Sequence, residues 1–206
     1  MNGERERALT AGVALLERAI DYTLGSLRVV SPDMLCRPTP CAGWTLQRLL
    51  THVTGSLRAL NEAATGDVAL VPEPVGARRA ARGGDLALLV RDDATEVLGT
   101  WANVISGGPV SIGDRHLTSP MVAAVGAIEI AVHGWDIARA CGEHRPIPPL
   151  TAAELLDLAR LFVTPADRPH RFGAPRRVVP GASPGARLLA YLGRDPAWPG
   201  TPPCSS

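Results

Sequence analysis

The chain has 206 residues, a formal net charge of +1 at pH 7, and 46% hydrophobic but only 4% aromatic residues. At this length one domain of ordinary size is expected, with a core built from aliphatic residues. A nearly neutral charge provides no electrostatic basis for binding nucleic acid or an anionic membrane surface, so neither is expected as a partner. The first residues are polar and carry no signal-peptide pattern, which predicts a cytoplasmic protein with reduced thiols.

The first third of the sequence predicts two amphipathic helices and a loop. Apolar residues recur at helical spacing from about Glu4 to Val30, where Ser31-Pro32-Asp33 interrupts the pattern. A second helix is predicted to begin after Thr45 as N-cap and to extend to about Ala64. Residues 67–84 are rich in Pro, Gly and Arg and have no period, which indicates a long loop.

The middle of the sequence predicts two more long helices. Residues 85–104 carry apolar side chains at helical spacing, and residues 110–117 are predicted to form an extended connector. The next helix is predicted to begin at Ser119, with Ser119 as N-cap, and to extend to about Cys141. It is apolar on every side, which predicts that it is the most buried helix of the molecule.

The remaining sequence predicts a short helical extension. A fifth helix is predicted over residues 151–162, capped by Thr151, and a short one over residues 183–192. Four long helices with intervening loops favour an all-α, four-helix bundle. We therefore predict a bundle over residues 1–165 and a Pro-, Gly- and Arg-rich extension over residues 166–206 that packs on it.

Glu129 and His133 stand out in the apolar helix because ionisable groups are costly to bury. Their spacing of four residues places both side chains on one face of a helix. Either the two side chains support each other, or an Arg from a neighbouring helix pairs with Glu129, or both bind a shared metal ion. Carboxylate oxygen with imidazole nitrogen suits Zn²⁺ or another first-row ion. The spacing alone leaves these alternatives open.

His52 is a third candidate ligand, on the second helix. At 100° per residue it lies about 120° from the centre of the leucine stripe, on the shoulder of the core. Gly55, Ser56 and Ala59 follow it along the same helix, and these small residues leave room for a pocket beside the imidazole. A histidine at the boundary between core and surface is the alternative interpretation.

Three segments together resemble a known family. Residues 38–45, which lead into 49–53, resemble the DinB-like superfamily, and more closely the metal-binding domain of mycothiol-dependent maleylpyruvate isomerases. Residues 129–138 resemble the second motif of that family. Residues 172–196 are similar to the tail of a compact actinobacterial subfamily. The resemblance extends over most of the chain.

The resemblance implies a DinB-like four-helix bundle in which His52, Glu129 and His133 bind one divalent ion. Zn²⁺ is the first candidate, with Ni²⁺ and Fe²⁺ as alternatives. It further implies an enzyme of the isomerase or S-transferase type, whose metal activates a low-molecular-weight thiol, such as mycothiol, or water for reaction with a small electrophilic substrate. The alternatives are a thiol-independent tailoring enzyme of secondary metabolism and a non-catalytic protein that binds metal or a small ligand.

Further residues are candidates for the surroundings of the metal. Asp136 and Trp135 belong to the second motif, and Asp136 is expected either to orient a ligand histidine or to pair with Arg139. Ser56 and His116 are candidates for the wall and mouth of a pocket. The sequence identifies no general acid or base. We expect a small-molecule substrate and either a monomer or a homodimer.

Overall fold

The computed structural model describes residues 2–65, 85–104, 109–112, 115–169 and 171–199. The α-helices in these ranges are α1 (Asn2–Leu27), α2 (Leu46–Thr65), α3 (Leu86–Ala102), α4 (Ser119–Ala140), α5 (Pro149–Phe162) and α6 (Pro184–Tyr191). Two short strands, β1 (Pro109–Ile112) and β2 (Arg115–Thr118), pair as an antiparallel hairpin where an extended connector was predicted. The predicted loop at 67–84 lies outside the described residues.

The four long helices close into a bundle. Helix α1 packs most extensively against α4, and further contacts join α4 to α2, α2 to α3, and α3 to α1. Leucine side chains of α2 fill the centre, and Leu46, Leu49 and Leu57 have no exposed surface. The predicted all-α, four-helix bundle is therefore confirmed, with aliphatic side chains in its core.

Helix α4 is the most buried of the four, as its uniformly apolar sequence predicted. It is the one helix within the described residues that is long and apolar enough to cross a membrane, and 83% of its most apolar window is buried inside the protein. A helix in the core of a protein is buried to a similar extent and is equally apolar. Its Asp136 and His133 are buried at 0% and 4% exposure.

The N-termini of three helices test the predicted N-cap residues, of which one is supported and two are wrong. Thr45 Oγ1 accepts a hydrogen bond from the Arg48 amide at 3.3 Å, which supports its predicted role as N-cap of α2. Two other predicted caps are wrong, because α4 is preceded by Thr118 rather than capped by Ser119, and α5 begins at Pro149, before Thr151. In both helices a proline in the first turn sets the start, since it lacks the amide hydrogen that the first turn leaves unpaired.

The segment after α5 returns to the bundle. Helix α6 packs against α5, and Ser183 caps it by accepting from the Ala186 amide at 3.2 Å. The Arg139 guanidinium, near the end of α4, donates to the Trp198 carbonyl. The division into a bundle at 1–165 and an extension at 166–206 stays a prediction.

The cysteines correct one expectation. Cys36 is disulfide-bonded, whereas reduced thiols were predicted. Cys41 and Cys141 are free thiols. Burial raises the pKa of each to about 11, so both are neutral thiols near pH 7.

Close packing of α1 against α4 depends on Gly134. A Cβ at this position would lie 2.3 Å from Thr23 Oγ1 and 3.1 Å from Thr23 Cα. We expect Gly134→Ala to lower the free energy of unfolding by about 1–3 kcal/mol through overpacking, despite the better helix propensity of alanine. Gly55→Ala is the matched control, because nothing lies within 4 Å of its new methyl group. The control should leave urea denaturation unchanged or stabilise the protein by up to about 1 kcal/mol. A Gly134→Ala variant as stable as the control would contradict this account of the interface.

Candidate metal centre

His52, Glu129 and His133 come together where α2 faces α4. His52 Nε2 lies 2.6 Å from Glu129 Oε1, and His133 Nε2 lies 3.3 Å from the same oxygen. The three side chains offer ligand atoms that all lie within 4.8 Å of one another. The spacing of four residues on α4 brings Glu129 and His133 to one face, and α2 supplies the third group from across the bundle.

Asp136 sets the orientation of the His133 ring. Its Oδ2 atom lies 3.0 Å from His133 Nδ1, and the same oxygen accepts a hydrogen bond from Arg194 at 3.0 Å. With Nδ1 donating to the carboxylate, Nε2 is directed at Glu129, where it can bind a metal ion in exchange for its proton. A carboxylate behind a histidine in this way also makes the imidazole a better donor to a metal.

The charges in this cluster stabilise one another. Burial alone would raise the pKa of Glu129, but the two imidazoles beside it hold the pKa well below its usual range. Burial alone would likewise raise the pKa of Asp136, and Arg194 with His133 keeps it low. Both carboxyl groups are therefore ionised at neutral pH, although Asp136 is completely buried.

A cavity of about 900 Å³ opens beside the cluster. The His52 side chain is 37% exposed and that of Glu129 is 26% exposed, while that of His133 is only 5% exposed. All three line the cavity, together with Ser56 of the same α2 face and Arg194. A small molecule can therefore reach the cluster from one side.

These residues fit a divalent ion chemically. Two imidazole nitrogens and a carboxylate oxygen form a donor set that suits Zn²⁺, Ni²⁺ or Fe²⁺. Glu129 is already deprotonated, and Nε2 of His133 is oriented by Asp136. Three protein ligands also leave coordination positions for other molecules, an arrangement typical of catalytic rather than structural zinc sites.

The sequence of this region matches a known domain. The family described as "Mycothiol maleylpyruvate isomerase N-terminal domain" matches residues 16–138, more than half of the chain, with all three candidate ligands inside the match. The chain belongs to this family.

Curated relatives of this family member include two proteins of Mycobacterium tuberculosis. They are named "Uncharacterized protein MT0763", from strain CDC 1551 / Oshkosh, and "Uncharacterized protein Rv0738", from strain ATCC 25618 / H37Rv. Each is 27% identical over 180 residues, which cover 86% of this chain and 94% of the relative. No solved structure matches the chain. The relatives thus share nearly the whole length of this family member, and their names assign no reaction.

The other predicted residues of this family member have different outcomes. Asp136 contacts His133 and Arg194, whereas the alternative partner Arg139 donates to Trp198. Trp135, predicted near the metal, packs in the hydrophobic core at 4% exposure and is absent from the described lining of the cavity. The side chain of His116 lies outside the described part of the chain.

Arg194 is the main feature of the site that sequence reasoning missed. It is 6% exposed, follows α6, and lines the cavity while it pairs with Asp136. The sequence placed Arg194 in a segment similar to the family's tail, but nothing in it linked that segment to Asp136. A buried Asp in the second motif was the available signal, because such a group requires a cationic partner.

Trp44 forms an aromatic wall beside the two histidines. Its ring meets the His52 ring edge-on at 4.9 Å and stacks on His133 at 6.2 Å between centroids. The Arg48 guanidinium lies over the Trp44 ring at 4.6 Å. Trp44 therefore packs against the imidazoles of both candidate ligands.

The metal-free protein should lose stability as pH rises. Burial disfavours a charged imidazole, but Glu129 and Asp136 beside it raise the pKa of His133 to about 9. The ordinary value is about 6.5, so the stabilisation is fully present below about pH 6.5 and is lost as pH rises through about 9. We expect the free energy of unfolding, measured by urea denaturation in the presence of a chelator, to decrease by up to about 3 kcal/mol over this range. His133→Asn should remove most of this dependence, and a flat profile for the unsubstituted protein would contradict the assignment.

Proposed function

We propose that this protein is a metal-dependent enzyme of the isomerase or S-transferase type. It would bind one divalent ion, with Zn²⁺ as the first candidate, at His52, Glu129 and His133. The reaction would join a low-molecular-weight thiol, such as mycothiol, to a small electrophilic substrate. The observation that carries this proposal is the convergence of three donor side chains at the wall of a large cavity.

The family and the geometry support the proposal in different ways. Membership in a family described by mycothiol and an isomerase reaction suggests the thiol. The partial exposure of His52 and Glu129 suggests that an ion here would keep positions open toward the cavity. A divalent ion supplies the chemistry by lowering the pKa of a thiol or water that it binds.

The protein's own side chains would then position the reactants. Asp136 holds the His133 ring in place, and Trp44 packs against both imidazoles. Burial opposes the charge of Arg194, but Asp136 raises its pKa, so the guanidinium stays charged and holds the carboxylate that orients His133.

The proposed setting is the cytoplasm, where low-molecular-weight thiols are kept reduced. A net charge of +1 supports a small-molecule substrate rather than nucleic acid or a membrane. Monomer and homodimer remain the two proposed assembly states.

The deciding experiment combines metal analysis with thiol-dependent turnover. Protein purified without an affinity tag is analysed for bound metal, and candidate electrophiles are then incubated with it in the presence and absence of mycothiol. We expect about one ion per chain, with turnover that requires both the ion and the thiol.

The possible outcomes separate the alternatives. Turnover at the same rate without thiol would replace the transferase proposal with a thiol-independent tailoring enzyme. Bound metal with no exchangeable water and no turnover would indicate a non-catalytic binding protein. Absence of metal after reconstitution with Zn²⁺ would reject the proposed centre itself.

A further inference from the structure

The cavity beside the metal centre extends well beyond it along α4. Four of its lining residues, Met121, Val125, Glu129 and His133, are spaced four residues apart and therefore lie along one side of the helix. The axial distance from Glu129 to Met121 is about 12 Å at 1.5 Å per residue. The cavity thus has a near end at the candidate ligands and a far end close to the start of α4.

The two ends differ in chemistry. The near end carries the imidazoles, the Glu129 carboxylate and the Arg194 guanidinium. The segment after α5 adds three further charged side chains to the cavity wall, Asp167, Arg171 and Arg176. Toward the far end the helices α2, α4 and α5 contribute aliphatic and aromatic side chains, which are Leu60, Met121, Val122, Val125, Leu161 and Phe162. We call this far part the apolar arm. Ser56, one turn beyond His52, is where the polar part of the α2 wall ends.

The arm has a floor and an end. At the floor, Leu60 packs against Gly126, where a Cβ would lie 2.5 Å from the Leu60 side chain. At the far end, Met121 and Phe162 also line a second cavity between α1 and α5, so their side chains separate the two spaces. The arm is therefore an extension of the metal-site cavity along α4, with its end at Met121 and Phe162 and an open side at Leu161, which is 70% exposed.

A volume of about 900 Å³ lies near the upper end of the range of about 300–1,000 Å³ that is usual for small-molecule sites. A metal ion with a small, fully polar substrate and a polar thiol would make no apolar contact with the arm, so its side chains would stay in contact with water. Replacement of that water by an apolar group would be favourable, because it removes apolar surface from water.

We infer that the electrophilic substrate is amphipathic, with a polar reactive head at His52, Glu129 and His133 and an apolar tail along α4 toward Met121 and Phe162. The head-group part rests on the proposed function, and the tail part rests on the arm alone. The chemical class is therefore a small electrophile with an aliphatic or aryl tail, rather than a compact polar acid.

The test uses a series of straight-chain alkyl hydroxamic acids, because hydroxamate oxygens bind divalent ions and the tail can be lengthened one carbon at a time. Dissociation constants are measured by calorimetry on the full chain loaded with Zn²⁺. From butyl to octyl we expect affinity to rise roughly threefold to fourfold per methylene group, at a stoichiometry of about one per chain. Equal affinity across the series would overturn the inference.

Variants locate the tail. Val125→Phe narrows the arm at its middle, and we expect it to weaken binding of the octyl probe at least about tenfold while the methyl probe binds as before. Leu88→Phe is the matched control, since Leu88 is 43% exposed on α3 and does not line the described cavity. If the gain in affinity per methylene group is unchanged in Val125→Phe, the tail binds elsewhere and the arm is rejected as its site.

Repeating the series on metal-free protein separates this inference from the proposed function. Loss of the metal should weaken every probe by a similar factor, but the gain per methylene should persist because the arm does not include the ion. A gain per methylene in protein that cannot bind Zn²⁺ would retain the arm and reject the metal centre. Bound Zn²⁺ without a gain in affinity per methylene would retain the metal centre and reject the arm as the site of the tail.

Discussion

Alanine in place of His133 is expected to lower the metal content from about one ion per chain to nearly zero. The His133 side chain is 5% exposed and its Nε2 atom lies 3.3 Å from Glu129 Oε1, so its removal would leave two of the three clustered donors. His52→Ala should have a similar effect and is the safer variant for folding, because that side chain is 37% exposed. The measurement is elemental analysis of untagged protein after dialysis against Zn²⁺ and removal of the free ion.

Two further variants make this measurement specific. His144→Ala removes an exposed histidine outside the cluster and should keep the full metal content. Asp136→Asn should keep the ligands but reduce metal affinity about 10–100-fold, because the carboxylate orients His133. Stoichiometric metal in both His133→Ala and His52→Ala would show that the ion binds elsewhere.

Removal of Arg194 should destabilise the protein more than removal of any exposed arginine. Arg194 lies 3.0 Å from Asp136 Oδ2, and the two side chains are 7% and 0% exposed. The other carboxylate oxygen, Oδ1, makes no hydrogen bond within the described residues. Arg194→Met would leave a buried carboxylate with His133 as its remaining charged partner. We expect the free energy of unfolding to fall by about 3–5 kcal/mol, measured by urea denaturation.

A surface ion pair provides the comparison for Arg194. Arg160 and Asp157 lie 3.6 Å apart with side chains 56% and 79% exposed. Arg160→Met should therefore lower the free energy of unfolding by about 0.5 kcal/mol or less. The double variant Asp136→Asn with Arg194→Met should recover part of the loss, because it no longer buries an unpaired charge. Equal effects of Arg194→Met and Arg160→Met would mean that the buried pair contributes no more than a surface pair.

The helices could be predicted from the sequence because their information is local. Apolar spacing located α1 to α4 to within a few residues, and the short helix predicted over residues 183–192 agrees with α6. The caps of α4 and α5 were less accurate, since Ser119 is the first residue of α4 and Thr151 lies inside α5, which begins at Pro149. A cap prediction fails when a neighbouring residue offers an equally good start.

The candidate ligands could also be predicted, but their surroundings could not. Glu129 and His133 share a helix, and the family resemblance added His52 from α2. Arg194 escaped prediction because its contact with Asp136 spans 58 residues and depends on how the segment after α5 folds back. The apolar arm could not be predicted either, because α4 is apolar on every side and its sequence does not show where protein and where a ligand would cover it.

The buried pair of Asp136 and Arg194 also sets an order of events during synthesis. Asp136 leaves the ribosome 58 residues before its guanidinium partner. Until Arg194 follows, packing α4 into the bundle would bury the Asp136 carboxylate with too little positive charge around it. We therefore expect α4 to pack fully only after Arg194 has been synthesised. The surroundings of the candidate metal centre are therefore completed late, by a segment that contributes none of the three candidate ligands.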